Sequence, residues 1–244
     1  MNVEELDKEI YYNDLKSTGG LIFDKFKSPS GIYELELFYA GEYPHGDSHH
    51  YCKVIDTNDN KVIWEYRKGD KIRQISEYPW SPDDKTVYFG LIENGNKIAK
   101  YDVKTEKLNI IFKSKQGENR LNWIHFVPQT FNGVIINSNY WINKEKFVEY
   151  IIFINETGEL IELSHLFDGQ IFPCPSNVLD CIYVFDNENI YLFNVKDKRI
   201  IEKESNTILK SGFFPKYRPH YFLKTRITYL QLNNQTDEKY IRIL

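Results

Sequence analysis

The sequence predicts an all-β fold, a small β-propeller of five four-stranded blades behind a short N-terminal helix. Three observations predict it. Runs of alternating apolar residues recur along the chain, as at Val87, Phe89 and Leu91, and period-two alternation marks a half-buried strand. A polar turn that opens on Asp or Asn returns at intervals of roughly 40–50 residues, the spacing of propeller units. A proline-bearing turn returns in the same phase.

Residues 1–20 stand apart from the rest. Val3, Leu6 and Ile10 have helical spacing, Glu4, Glu5 and Asp7 suit a first helical turn, and Gly19-Gly20 closes the segment. A propeller domain is expected over 21–244, in units near 21–70, 71–117, 118–169, 170–206 and 207–244. The second unit is the clearest. Ser81-Pro82-Asp83-Asp84 precedes an alternating strand, Asn94-Gly95 supplies the positive φ of a tight hairpin, and Asp102 opens the next turn. Asp56, Asn155 and Asn194 stand in the place of Asp102 in other units. Ser28-Pro29, Val127-Pro128 and Pro175-Ser176 stand in that of Ser81-Pro82, and Phe214-Pro215 or Arg218-Pro219 would be the fifth. Ile75, Val87, Phe89, Leu108 and Ile110 are expected between sheets. A packed double-sheet sandwich is the alternative fold.

The turns at Ser28-Pro29-Ser30-Gly31 and Ser81-Pro82-Asp83-Asp84 resemble the Ser-Pro-Asp-Gly turn of WD40-like repeats in TolB and prolyl-oligopeptidase propellers. Asp102 and its counterparts resemble the Tyr-Asp or Leu-Asp hairpin of those repeats. The resemblance implies a propeller and carries no catalytic residue. The Trp-Asp dipeptide and Gly-His pair of true WD40 repeats are absent.

Composition narrows the functional classes. Hydrophobic content of 41% and charged content of 27% are those of a folded globular protein. Aromatics reach 16%, with 18 Tyr and 16 Phe, which favours strands. A net charge of −4 weighs against nucleic-acid binding. Cys52, Cys174 and Cys181 are too few for a disulfide framework and are read as buried thiols in a reducing compartment. The acidic N-terminus lacks a secretory pattern, and no apolar run reaches the roughly 18 residues of a membrane span. A cytoplasmic protein without membrane contact is the expectation.

Candidate sites follow, each beside its structural reading. Trp80, Trp123 and Trp141 recur in different units. Such aromatics anchor protein interfaces and also pack between blades. Asp24 and Glu77 lie on first strands, where a propeller gathers its axis, and with abundant Trp and Tyr they suggest a glycan site. Hydrolysis of a glycan needs two carboxylates in opposite roles, and no third carboxylate supports the pair. His45, Asp47 and His49 offer metal-ligand types in a polar loop. Adjacent His49 and His50 would face opposite ways on a strand. Residues 210–226 interleave Lys and Arg with aromatics, a stacking and phosphate-holding pattern, or simply core aromatics with solvated charges. There is no Gly-x-Ser-x-Gly, no P-loop and no His-Glu-x-x-His. The sequence therefore predicts a non-catalytic protein-binding module that needs no cofactor. One narrower form is an immunity protein neutralising a basic toxin domain, since mild negative charge speeds encounter with such a partner.

Overall fold

The computed structural model describes residues 21–40, 49–66, 71–74, 78–92, 96–113, 121–141, 147–167, 171–186, 188–205, 214–215, 220–222, 227–233 and 238–243. The expected helix over 1–20, the Asn94-Gly95 turn and Ile75 lie outside these residues. Among the described residues the strands form five four-stranded sheets. The chain divides into two compact units, Met1–Ile124 and His125–Leu244.

The first unit holds two antiparallel meanders whose strands lie side by side in chain order. One comprises β1 (Leu21–Lys27), β2 (Tyr33–Ala40), β3 (His49–Asp56) and β4 (Lys61–Tyr66). The other comprises β5 (Lys71–Gln74), β6 (Thr86–Ile92), β7 (Asn96–Asp102) and β8 (Lys107–Lys113). Alternation decides which face each strand buries. Leu35 and Leu37 of β2, with Cys52 and Val54 of β3, share a core with Val87, Phe89 and Leu91 of β6 and with Ala99 and Tyr101 of β7. Trp64 of β4 lies over Tyr101 with ring centroids 4.1 Å apart. Tyr88 and Ile98, on the opposite face of the second sheet, are also buried, so that sheet is covered on both sides.

The opposite face of the first sheet carries charge instead. Glu36 sits in register between Lys25 and Lys53 and forms an ion pair with each, while Lys25 also reaches Glu34 at 3.2 Å. Burial alone would raise the Glu36 carboxyl. The hydrogen bonds from the two lysines outweigh it and hold the group below its ordinary range.

Ile110 departs from expectation. It is exposed, whereas Val87 and Phe89 are fully buried and Leu108 packs against the core as expected. The cause is its place opposite Ala99 on β8, the outer strand of its sheet, which has a neighbour on one side only and is largely exposed; the register shifts directly after it, where Ile98 pairs with Phe112 and Ile111 is left over. One extra residue reverses the alternation beyond it. Ile63 is left over in the same way in β4, between Val62 and Trp64.

The next sheet, whose first strand crosses the boundary between the two units, comprises β9 (Leu121–Phe126), β10 (Gly133–Trp141), β11 (Phe147–Asn155) and β12 (Leu160–Glu162), followed by a 3-10 turn, Leu163–His165. The next sheet is β13 (Phe172–Pro175), β14 (Cys181–Phe185), β15 (Asn189–Asn194) and β16 (Arg199–Ser205). Ile135, Ile151 and Phe153 of the former share a core with Ile182, Val184 and Phe193 of the latter. The last sheet has β17 (Phe214–Pro215), β18 (His220–Phe222), β19 (Ile227–Asn233) and β20 (Glu238–Ile243). It is not a simple meander, because β17 and β18 both pair with β19. Pro215 lacks a backbone donor and has a fixed φ, which suits so short a strand.

Candidate functional site

In a four-stranded meander the first turn and the last hairpin fall at one end, and the middle connection falls at the other. At the first of these ends the first turn is built alike in the two sheets of the first unit. Ser28 N donates to Tyr33 O and Ser81 N to Thr86 O, each at 2.8 Å. The hydroxyl of each serine accepts from the same partner's amide, at 3.2 and 2.9 Å. The fourth residue of each turn donates back to the serine carbonyl, Gly31 at 2.9 Å and Asp84 at 3.1 Å. The fourth residue takes a positive φ, 78° at Gly31 and 61° at Asp84, as the chain leaves the turn. Ser28-Pro29 and Ser81-Pro82 thus occupy equivalent turns.

The last hairpins repeat as well. Asp56 accepts from Asn58 N at 2.9 Å, Asp102 from Thr105 N at 2.7 Å, Asn155 from Thr157 N at 3.0 Å and Asn194 from Asp197 N at 2.7 Å. These are the side-chain-closed turns expected of Asp and Asn. The two turns of a sheet are then tied together. Thr57 N donates to Ile32 O at 2.9 Å, Val103 N to Lys85 O at 2.8 Å, and Val195 N to Asp180 O at 2.9 Å. Between neighbouring turns of the first unit, Ser30 N donates to the Asp84 carboxylate at 2.9 Å.

These braced ends present apolar side chains to solvent. In the first unit Ile32 stands on the first turn and Val62 at the start of β4. In the second, Val178 and Leu179 stand on the first turn, Leu160 opens β12 and Ile200 lies at the start of β16. Leu179 is 70% exposed. Beside them the charges are already matched: Lys198 pairs with Glu159 at 2.9 Å and Arg199 with Asp197 at 3.4 Å. Sequence patterning did not single out these side chains. Ile32 and Leu179 lie within turns, where strand alternation carries no information.

The residues proposed from sequence fare differently. Trp80 is a correction. It is only 1% exposed, its Nε1 donates to Phe26 O at 2.8 Å, and its ring stacks on Tyr33 at 6.0 Å. It belongs to the core and has no face left for a partner, because its large ring fills the space between two sheets. Trp123 lies on β9, and Trp141 ends β10 paired with Phe147. Asp24 lies on β1 opposite Leu37, just past a bulge. In the second sheet Gly90 takes the place of Leu37 and faces Gln74, so the register counterpart of Asp24 is an amide. Glu77, His45 and Asp47 lie outside the described residues. His49 opens β3 opposite Ala40. Cys52, Cys174 and Cys181 are buried free thiols as expected, and burial raises the pKa of each. A thiol held protonated is a poor nucleophile.

No protein-family model and no curated protein matches the chain. Solved structures do. Prolyl oligopeptidase B from Galerina marginata aligns with a TM-score of 0.56 at 9% identity, over 91% of this chain and 33% of its own. Porphyromonas gingivalis dipeptidyl peptidase 4 aligns with a TM-score of 0.52 at 12% identity, over 91% of this chain and 39% of its own. TolB from Acinetobacter baumannii aligns with a TM-score of 0.48 at 13% identity, over 92% of this chain and 52% of its own. The chain spans a third to about a half of the length of these proteins. The likeness to the two peptidases shows the fold, a β-propeller, and at such identities it shows the fold alone.

Proposed function

We propose that the chain is a five-bladed propeller that acts as a non-catalytic protein-binding module through the braced turn ends of its sheets. One observation carries this reading: large apolar side chains, led by Leu179 at 70% exposure, stand on turns fixed by paired hydrogen bonds. Scattered exposed apolar residues are ordinary on any surface. Here they recur at corresponding positions, on rigid backbone, beside charges that neutralise one another. Rigid placement lowers the entropy lost on binding, and apolar area then supplies the affinity. A toxin-neutralising role is a narrower form of the same reading and depends on the identity of the partner.

The test is capture of a partner at mild salt with wild-type chain and with a Leu179→Glu, Ile200→Lys double variant. Both positions are exposed, so the variant should fold as wild type does, which circular dichroism checks. A stoichiometric protein retained by wild type and lost by the variant is the expected result. No stoichiometric partner, or one held equally by both, sinks the proposal.

A further inference from the structure

β16 is the outer strand of its sheet and has a neighbour only in β15. All seven of its residues, Arg199–Ser205, are exposed. Outer strands β4, β8 and β12 are partly covered instead: Tyr66 of β4 and Ile161 of β12 are buried, and Leu108 of β8 packs against the core. An outer strand turns every second N–H and C=O away from its neighbour, where another strand can take them up.

The side chains decide which strand that can be. Glu202 lies opposite Leu192 and Glu204 opposite Ile190, so the two carboxylates share one face. Lys203, opposite Tyr191, lies on the other, with its Nζ 5.3 Å from the centre of that ring. Among the described residues no Lys or Arg forms an ion pair with Glu202 or Glu204. Ile201, left over where the register shifts between Leu192 and Phe193, is 46% exposed. A second copy does not fit this edge. Antiparallel pairing of two copies about a two-fold axis sets one residue of β16 opposite its own image. Centred on Glu202 or Glu204 it opposes two carboxylates. Centred on Lys203 it opposes two ammonium groups and sets Glu202 against Glu204, and centred on Ile201 it sets Arg199 against Lys203. Registers centred nearer either end overlap too little to form a ladder. Like charges directly opposite are destabilising, and such charge guards an edge against its own copy. The same two carboxylates favour a strand that sets basic side chains against them.

We propose that the outer edge of β16 takes up an extended segment of a partner protein by strand addition, a segment with Lys or Arg at alternate positions opposite Glu202 and Glu204 and an apolar residue opposite Ile201. Backbone hydrogen bonds to the open edge supply the affinity, and the alternate basic side chains supply the selectivity. Exposed ion pairs are individually weak and are screened by salt, so the edge holds its segment loosely and best at low salt. This surface runs along the strand rather than over the turn ends, and it holds or fails independently of them.

The probe is a fluorescently labelled peptide, Thr-Lys-Val-Lys-Val-Val-Thr with both ends blocked, whose antiparallel register sets its lysines opposite Glu204 and Glu202. Its binding to the full chain is followed by anisotropy at low salt, and amide hydrogen exchange of the complex by NMR. Binding with a Kd below about 1 mM, with alternate amides of β16 protected, is the expected result. A Glu202→Lys, Glu204→Lys double variant changes only exposed positions, and circular dichroism checks its fold. It should bind the peptide about tenfold more weakly, and prefer a peptide with Glu in place of the two lysines. No binding up to about 1 mM, or equal binding by the charge-reversed variant, overturns the proposal. So does binding that protects no β16 amide, because the peptide then adheres by charge alone. Protection of β16 in the peptide-free chain that grows with protein concentration means that a second copy holds the edge, and overturns it too.

Discussion

Single residues set the turns of this fold, and two glycines show how differently they do so. Gly31 has a φ of 78° and a Cβ there would meet nothing within 4 Å. Its cost of substitution is the left-handed backbone alone, so Gly31→Ala should lose about 1 kcal/mol. Gly133 has a φ of 146°, and a Cβ there would lie 2.4 Å from the Phe153 ring and 2.7 Å from Ile154 O. Neither neighbour can retreat: one is core and the other is strand backbone. Gly133→Ala should therefore lose about 2–4 kcal/mol, strain and overpacking together. Urea melts of the two variants check the order, and equal losses would mean that the contact at Gly133 relaxes. Asp84 takes the left-handed position that Gly31 takes in the first sheet, at a φ of 61°. Its carboxylate holds Ser30 N, which gives a reason for a non-glycine residue there.

At the scale of the element, strand cores and strand ends contribute unequally. Phe89 is fully buried between two sheets, touching Trp64 and Tyr66. Truncating it to Ala leaves a cavity that facing strands cannot close, at about 3–5 kcal/mol. Asp102 closes an exposed hairpin through Thr105, and Asp102→Ala should cost only about 1 kcal/mol. Denaturant midpoints of the two variants test this, and comparable losses would mean that the hairpin does more than turn the chain. These elements were legible in sequence because alternation and turn chemistry are local. Val87, Phe89, the Ser-Pro turns and the Asx hairpins follow from neighbours a few residues away. Ile110 was not legible, since its own alternation does not say that β8 is the outer strand of the sheet. Trp80 was placed correctly beside its turn, but its burial comes from a second sheet that local sequence does not describe.

Over the whole molecule, the buried titratable groups fix how stability responds to pH. Burial pushes the Tyr101 hydroxyl up to about 12 and raises Tyr183 and the three thiols. For a raised group the unfolded chain gives up its proton first. Its contribution is whole below the unfolded pKa and is lost as pH rises towards the folded one. Unfolded thiols titrate near pH ~8.5 and tyrosine near ~10, so stability should begin to fall above about pH 8.5 and continue through about pH 12. Glu36 and Asp186 lie on the other limb. Burial alone would raise both, but Lys25 and Lys53 for Glu36, and Tyr191 with the Glu188 and Asn189 donors for Asp186, hold them below their ordinary values. Their contribution is present above the unfolded values of about 4 and is lost as pH falls below them. Urea melts across pH should therefore give a plateau between the two limbs, and two variants separate them. Glu36→Gln should weaken the acid limb and leave the part that Asp186 carries. Tyr101→Phe removes a buried hydroxyl that has no hydrogen-bond partner, so it should cost nothing at neutral pH and flatten the upper part of the alkaline limb. An alkaline limb unchanged in Tyr101→Phe would place the titrating groups elsewhere, in the thiols or Tyr183.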